Sequence, residues 1–221
     1  MFTHQRATLA GKQSRSILVS ESIVNMGDID VFAGIVGNDG HLGQDKNTIF
    51  IINSDVHFLK SKAIPMIHRI TGKTVIPKPS ISGFGKLKYK INVSSAILWR
   101  ELNRKYNIPS GAKPISIQPP NLNFIEEKNS YLSGWIAGDG SVTIDRTRVK
   151  IEIWSKSSSM ISWFREVLKE NGIESKIFEE RNKNEFILRI GKRSEVMKFY
   201  EKIEIPHPKK QNKLRSLLFT S

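Results

Sequence analysis

Two stretches of this chain repeat one another at a spacing of 100 positions: Asp30-Val-Phe-Ala-Gly-Ile-Val-Gly-Asn-Asp-Gly40 and Ser130-Tyr-Leu-Ser-Gly-Trp-Ile-Ala-Gly-Asp-Gly140. Both read as an apolar residue, a small one, Gly, two apolar residues, a small one, a variable one, then Asp-Gly. A repeat at so long a period implies a duplicated unit of several elements, not a solenoid of short turns.

The elements that follow each copy recur in the same order. Thr48-Ile-Phe-Ile-Ile-Asn53 and Val149-Lys-Ile-Glu-Ile-Trp154 read as strands. Met160, Ile161, Phe164, Val167 and Leu168 then recur at helical spacing, and Asn171-Gly172 supplies a stop. The first-half counterpart, from Asp55 to about Ile70, meets Pro65, which should kink or end it. A hairpin follows in each half, closing with Lys86-Leu-Lys-Tyr-Lys-Ile91 or Phe186-Ile-Leu-Arg-Ile190. Ser95 and Ser194 stand as N-caps of final helices over roughly 96–106 and 195–203. The chain thus divides into a basic N-terminal arm (1–25), a first half (26–108), a Pro-rich linker (109–125), a second half (126–205) and a basic, extended C-terminal tail (206–221).

Each repeated segment predicts a helix whose small residues fall four apart: Ala33 with Gly37 and Gly34 with Asn38, then Ser133 with Ala137 and Gly134 with Gly138. That spacing puts them on one face, where two backbones can approach closely, so the two helices are expected to pack on each other. Gly40 and Gly140 suit a left-handed helix stop, which places Asp39 and Asp139 at the C-terminal ends. Carboxylates are disfavoured there by the helix dipole and, once the helices pair, by each other. A divalent cation relieves both costs. Oxygen ligands with room for water and phosphate suit Mg²⁺, and metals beside a phosphate can activate water and stabilise the leaving oxygen.

Phe32-Ala-Gly-Ile-Val-Gly-Asn-Asp-Gly40 and Leu132-Ser-Gly-Trp-Ile-Ala-Gly-Asp-Gly140 resemble two LAGLIDADG motifs, in the single-chain arrangement of intron-encoded homing endonucleases, and the chain resembles archaeal members. The resemblance spans about residues 28–205 and implies an α/β fold of the α+β type. Two pseudosymmetric αββαββα halves would each offer a curved antiparallel sheet to double-stranded DNA and pack through the motif helices. It also implies site residues: Asp39 and Asp139 as metal ligands, with Asn38 and Gly138 beside them, Asn53 and Ser155 positioning solvent, and Lys192 supporting the central phosphate. Mg²⁺ is the implied cofactor, with Mn²⁺ a substitute, and the implied product is a double-strand cut with short 3′ overhangs that promotes intron mobility. The family acid two positions earlier is Gly37 in one copy and Ala137 in the other. A glutamine is common where Ser155 stands. The rival reading within the same resemblance is an RNA-binding intron maturase, whose partner is intron RNA, and a third is a sequence-specific regulator on the same fold.

Charge agrees with a nucleic-acid partner. Lys and Arg number 35 against 21 Asp and Glu, a net +14 at neutral pH, with +9 in residues 1–125 and +5 in the remainder. Lys86, Lys88 and Lys90 alternate with Leu87, Tyr89 and Ile91, which predicts a basic sheet face over a buried one. Arg146, Arg148, Lys150 and Glu152 repeat the device beside Val149, Ile151 and Ile153, the acid being able to accept from cytosine, and Arg189 belongs to the adjoining strand. Absence of cysteine excludes disulfides, thiol nucleophiles and thiolate-bound metals. The five histidines form no zinc pair, and the four tryptophans read as core. No stretch nears the roughly 18 apolar residues of a membrane span, and the N-terminus has no secretory apolar region. The reading is therefore a soluble monomer, cytoplasmic by default.

Overall fold

The computed structural model describes residues 26–81, 85–111, 117–145 and 148–219. The architecture is mixed α/β, two αββαββα units followed by one further helix. The first unit runs α1 (Met26–Asp39), β1 (Gly40–Leu42), β2 (Thr48–Asn53), a helical segment, β3 (Lys78–Ile81), β4 (Leu87–Ser94) and α4 (Ala96–Arg104). The helical segment comprises α2 (Val56–Phe58), a π-helical turn (Leu59–Ala63) and α3 (Ile64–Thr71). The second unit runs α5 (Ile125–Ala137), β5 (Ser141–Asp145), β6 (Arg148–Ser155), α6 (Ser158–Glu170), β7 (Lys176–Glu180), β8 (Glu185–Ile190) and α7 (Arg193–Lys202), and α8 (Pro208–Phe219) follows it. The two antiparallel sheets have matching orders, β1-β2-β4-β3 and β5-β6-β8-β7.

Helices α1 and α5 pack along the small-residue face that the sequence sets out. A Cβ on Gly34 would overlap the Tyr131 carbonyl, and one on Gly134 would overlap the Val31 carbonyl. The contact is reciprocal, as a pseudo-twofold axis requires. Phe32, Ile35, Val36, Leu132 and Ile136 are fully buried and carry the helix pair into a core shared with Ile49, Ile51, Ile91, Ile151, Leu188 and Ile190 of the sheets. A buried polar tie holds the far end: the Tyr106 hydroxyl donates to Asp30 at 2.6 Å, and Lys105 pairs with Glu127 at 3.0 Å. Burial pushes the Asp30 carboxyl above its usual range, which the Tyr106 and Lys105 contacts only partly offset.

Four local expectations need correction. Gly40 and Gly140 are not left-handed; the positive-φ glycines among the described residues are Gly72, Gly85, Gly111 and Gly172. Glycine is needed at 40 and 140 for close approach instead, since a Cβ on Gly40 would overlap the Phe50 carbonyl and one on Gly140 would lie 2.7 Å from Ile136 Cα. Pro65 does not end the helical segment. It sits in the first turn of α3, directly after the π-helical turn, where the missing N–H costs least. Ser95 caps α4 through the Leu98 amide, but α7 begins one residue before Ser194, with Lys192 at its N-cap.

The fourth correction is the C-terminal segment. Residues 208–219 form a helix, with Pro208 at its start and Leu214 and Leu218 buried. It bridges the two units. His207 stacks on Phe58 with ring centroids 4.6 Å apart, Lys209 pairs with Asp55 at 2.7 Å, and Arg193 reaches back to the Leu217 carbonyl. Burial alone would raise the Asp55 carboxyl, but the Lys209 contact and the Phe58 amide hold it below its usual range.

Candidate active site and nucleic-acid interface

Helix geometry brings the two repeated aspartates to neighbouring ends of the paired helices. Asp39 is the last residue of α1, whereas Asp139 lies just beyond α5, after a Gly138 that ends the helix with ψ −105°. Gly138 packs against the opposite carboxylate: a Cβ there would stand 3.0 Å from Asp39 Cγ and 3.1 Å from Asn38 Nδ2. Asn38 itself crosses between the repeats, donating to the Trp135 carbonyl at 2.8 Å. Asp139 is exposed and lines a cavity of about 320 Å³ with Gly37, Asn38, Trp154, Ser155 and Lys156.

The strand-end residues differ between the halves. Asn53, closing β2, donates to Asp39 Oδ2 at 2.6 Å and accepts the Asp55 amide at 2.7 Å, so its side chain is held at both ends. Ser155, closing β6, accepts the Ser157 amide at 3.1 Å. It reaches the cavity of Asp139 without a bond to that carboxylate.

Lys192 is placed elsewhere than expected. It is exposed, paired with Glu174 at 2.6 Å, and lines a separate cleft of about 770 Å³ with Lys150, Lys176 and Arg189 that shares no residue with the cavity of Asp139. Its turn precedes α7, which carries it away from the helix ends. A lysine at the end of the helix that leads to Asp139 is Lys210 of α8. Its ammonium donates to the carbonyls of Ile136 and Ala137, each at 2.9 Å, and to that of Gly138. Burial lowers its pKa to about 8, while Asp39 and Asp139 both favour the charged form. Sequence reasoning missed it because its helix went unread. Lys156, next to Ser155, was also missed, although its place just after a strand end beside the second aspartate was legible.

Both sheets turn a basic face outward. In the first, Lys88 and Lys90 share a face with Lys78, and Lys78 stands directly across from Lys90. Lys86 precedes β4 and is exposed, and Leu87, expected on the buried side, is 53% exposed, so only the inner part of β4 covers core. In the second, Lys176 stands across from Arg189, which stands across from Glu152. Glu152 is buried and accepts from Arg189 at 2.7 Å, with Lys150 at 3.6 Å, so this acid orients two cations and is not available to read a base as expected. Arg146 lies outside the described residues, and of Arg148 only the backbone position in β6 is described. Each face also sets a cation over a ring: Lys90 lies 4.0 Å from the Phe50 centroid and Arg189 4.4 Å from that of Phe178. Like charges directly opposite on a sheet destabilise it, and a polyanion laid across Lys78/Lys90 and Lys176/Arg189 removes that cost.

Comparison with known proteins places this architecture among LAGLIDADG folds. Residues 126–204 match the family model of the LAGLIDADG-like domain. The homing endonuclease I-DmoI in complex with DNA and Ca superposes with a TM-score of 0.59 at 16% identity, covering 81% of this chain and 90% of that one. Mesophilic variants of I-DmoI give 0.57 at 17% identity with the same coverage. Full-length DUF199/WhiA from Thermatoga maritima gives 0.61 at 19% identity, and the match covers 87% of this chain but only 58% of WhiA. The N-terminal LAGLIDADG domain of DUF199/WhiA gives 0.56 at 17% identity, covering 80% of this chain and 82% of that domain. No curated protein matches the chain. None of the described helices is long and apolar enough to cross a membrane.

Proposed function

We propose that this chain is a LAGLIDADG homing endonuclease that hydrolyses both strands of a long, asymmetric DNA site with Mg²⁺, or Mn²⁺ in its place, leaving short 3′ overhangs. The observation that carries the reading is the juxtaposition of Asp39 and Asp139 at the ends of two packed helices, with a basic sheet in each half. I-DmoI has been solved with DNA together with Ca, Mg or Mn, which supports a divalent cation in this fold.

The residues present fit such a cation. The donors are carboxylate and carbonyl oxygens, and Gly138 leaves beside Asp39 a space that a Cβ would fill. No group of three or more His, Cys, Asp or Glu forms a metal cage among the described residues, so water and phosphate oxygens would complete the shell. When bound, the metal supplies Lewis-acid stabilisation of the scissile phosphate and a water acidified enough to attack it. The chain's own contribution is positioning. Asn53 fixes the rotamer of Asp39, Lys210 anchors the helix end that delivers Asp139, and Ser155 and Lys156 face the cavity where solvent would enter. Lys78, Lys88 and Lys90 in one half and Lys150, Lys176 and Arg189 in the other would hold the backbone of the two half-sites. Glu152 holds Arg189 and Lys150 on the second face, whereas Lys90 of the first lies over Phe50, so the two half-sites would be gripped unequally.

The test is incubation with Mg²⁺ and a library of long duplexes, followed by sequencing of the ends produced. A defined double-strand cut is expected. No cut, with tight binding to structured intron RNA, would replace this reading with the maturase.

A further inference from the structure

Residues 207–209 lie outside both repeats yet touch the first one beside its carboxylate. The His207 ring stacks on Phe58, which is fully buried, and its Nε2 lies 3.7 Å from the Asp55 carboxylate; Lys209 pairs with the same carboxylate at 2.7 Å. Asp55 in turn accepts the amides of His57 and Phe58, at 3.0 and 3.2 Å, and its own amide donates to Asn53 Oδ1 at 2.7 Å. Asn53 then donates to Asp39 Oδ2 at 2.6 Å. A continuous run of contacts therefore leads from His207 to the first carboxylate. At the matching turn of the second half, Ser157 caps α6 and donates to the carbonyl of Ile117, in the linker, at 2.7 Å. Each turn is thus held by a segment from outside the repeat, but Ser155 accepts the Ser157 amide without passing the constraint on to Asp139.

His207 matters more than Lys209. The lysine side chain is 72% exposed, and an exposed ion pair contributes about 0–1 kcal/mol. His207 is 6% exposed, and a stacked ring pair adds about 0.5–1.5 kcal/mol beyond the area it buries. We propose that His207 is a positioning residue for Asp39, acting through Phe58, Asp55 and Asn53, so that the segment following the second repeat sets the carboxylate of the first. The inference rests on reading Asp39 and Asp139 as a divalent-cation site. Without the stack, the 53–55 turn keeps only its own bonds, Asn53 steers Asp39 less firmly, and a cation must order that carboxylate as it binds.

The experiment is a Mn²⁺ titration of the full chain, with free Mn²⁺ read by electron paramagnetic resonance and single-turnover cleavage scored beside it. His207→Ala changes no charge at neutral pH, since burial holds the imidazole neutral, and should weaken Mn²⁺ binding by about 10-fold, the low end for a residue that orients a metal ligand. His207→Phe keeps the stack and removes an Nδ1 that is buried with no hydrogen-bond partner among the described residues, so its affinity should stay within about twofold of the natural sequence. In an Asn53→Ala background, His207→Ala should add less than about twofold, because the amide through which it acts is gone, whereas an effect on packing alone would add in full. Unchanged affinity in His207→Ala, no rescue by His207→Phe, or full additivity with Asn53→Ala each overturns the proposal. If His207→Ala does not fold, Phe58→Leu breaks the same stack with the core still largely filled and is read by the same criteria. Affinities that follow this pattern without cleavage of any duplex keep the role of His207 and reject the nuclease. Cleavage and Mn²⁺ affinity in His207→Ala equal to those of the natural sequence do the reverse, and no Mn²⁺ binding by the natural sequence overturns both.

Discussion

Asn53 donates to Asp39 Oδ2 across 2.6 Å, while Ser155, at the corresponding strand end of the second repeat, bonds to the amide of Ser157 instead. The repeat is therefore broken at the point where each carboxylate is steered. A residue that orients a metal-binding carboxylate typically contributes 10- to 100-fold to affinity or activity. Asn53→Ala should slow cleavage by about that factor. Ser155→Ala should cost less, since its hydroxyl bonds to its own turn. Single-turnover cleavage of both strands checks this, and equal losses in the two variants would contradict the asymmetry.

Asp39→Asn and Asp139→Asn should each abolish double-strand cleavage while DNA binding in Ca²⁺ stays within about twofold, because the change removes a charge and leaves the shape intact. Undiminished cutting by either variant would sink the assignment of the carboxylates. Gel-shift titration beside the cleavage assay separates binding from chemistry.

Gly34 and Gly134 each face a carbonyl of the opposite helix with no room for a methyl group. Overpacking a tight interface costs about 1–3 kcal/mol and occasionally more. Backbone cannot swing aside as a side chain can, so Gly34→Ala and Gly134→Ala should lie at or above the top of that range. Urea unfolding measures the loss, and an effect below about 0.5 kcal/mol, the size of an ordinary surface change, would contradict the close approach.

The fold was legible where a pattern had to serve packing. The small-residue face, Gly34 and Gly134 included, marked the helix interface because only small side chains permit it, and alternation in Lys88 to Ile91 marked a strand with two unlike faces. Helix α8 was hidden because its apolar residues, Leu214, Leu217, Leu218 and Phe219, are confined to the second half of a basic segment. Lys210 was hidden with it, since nothing in a lysine's neighbours announces that its ammonium will reach a helix end about 70 residues away in sequence. Glu152 was misread for a related reason. Strand alternation told which face it shares, but its burial came from Arg189, a neighbour in register and remote in sequence.

Lys78 and Lys90 stand opposite one another with like charge on an outward face. If that face meets phosphate, replacing both by Gln should weaken DNA binding at low salt and reduce the salt slope of log Kd by roughly 1–2, about one for each phosphate left without its cation. The folded state should hold or gain stability, because a repulsive pair is gone. An unchanged salt slope would place DNA elsewhere.

His207 is buried on Phe58, and burial lowers its pKa from 6.5 to about 4; Lys210 and Lys209 push the same way and Asp55, 3.7 Å distant, opposes them. The unfolded chain therefore binds a proton on this residue between about pH 6.5 and 4 while the folded chain does not. Stability then falls as pH drops through that window, by up to about 3 kcal/mol, and flattens below it as far as this residue is concerned. Because His207 begins the segment that docks α8, the loss should appear first as release of that helix and, with it, of Lys210 from the helix end. His207→Gln should remove most of the dependence between pH 6.5 and 4. Denaturant midpoints for both proteins across that range test it, and parallel curves would mean that His207 is not held neutral in the fold.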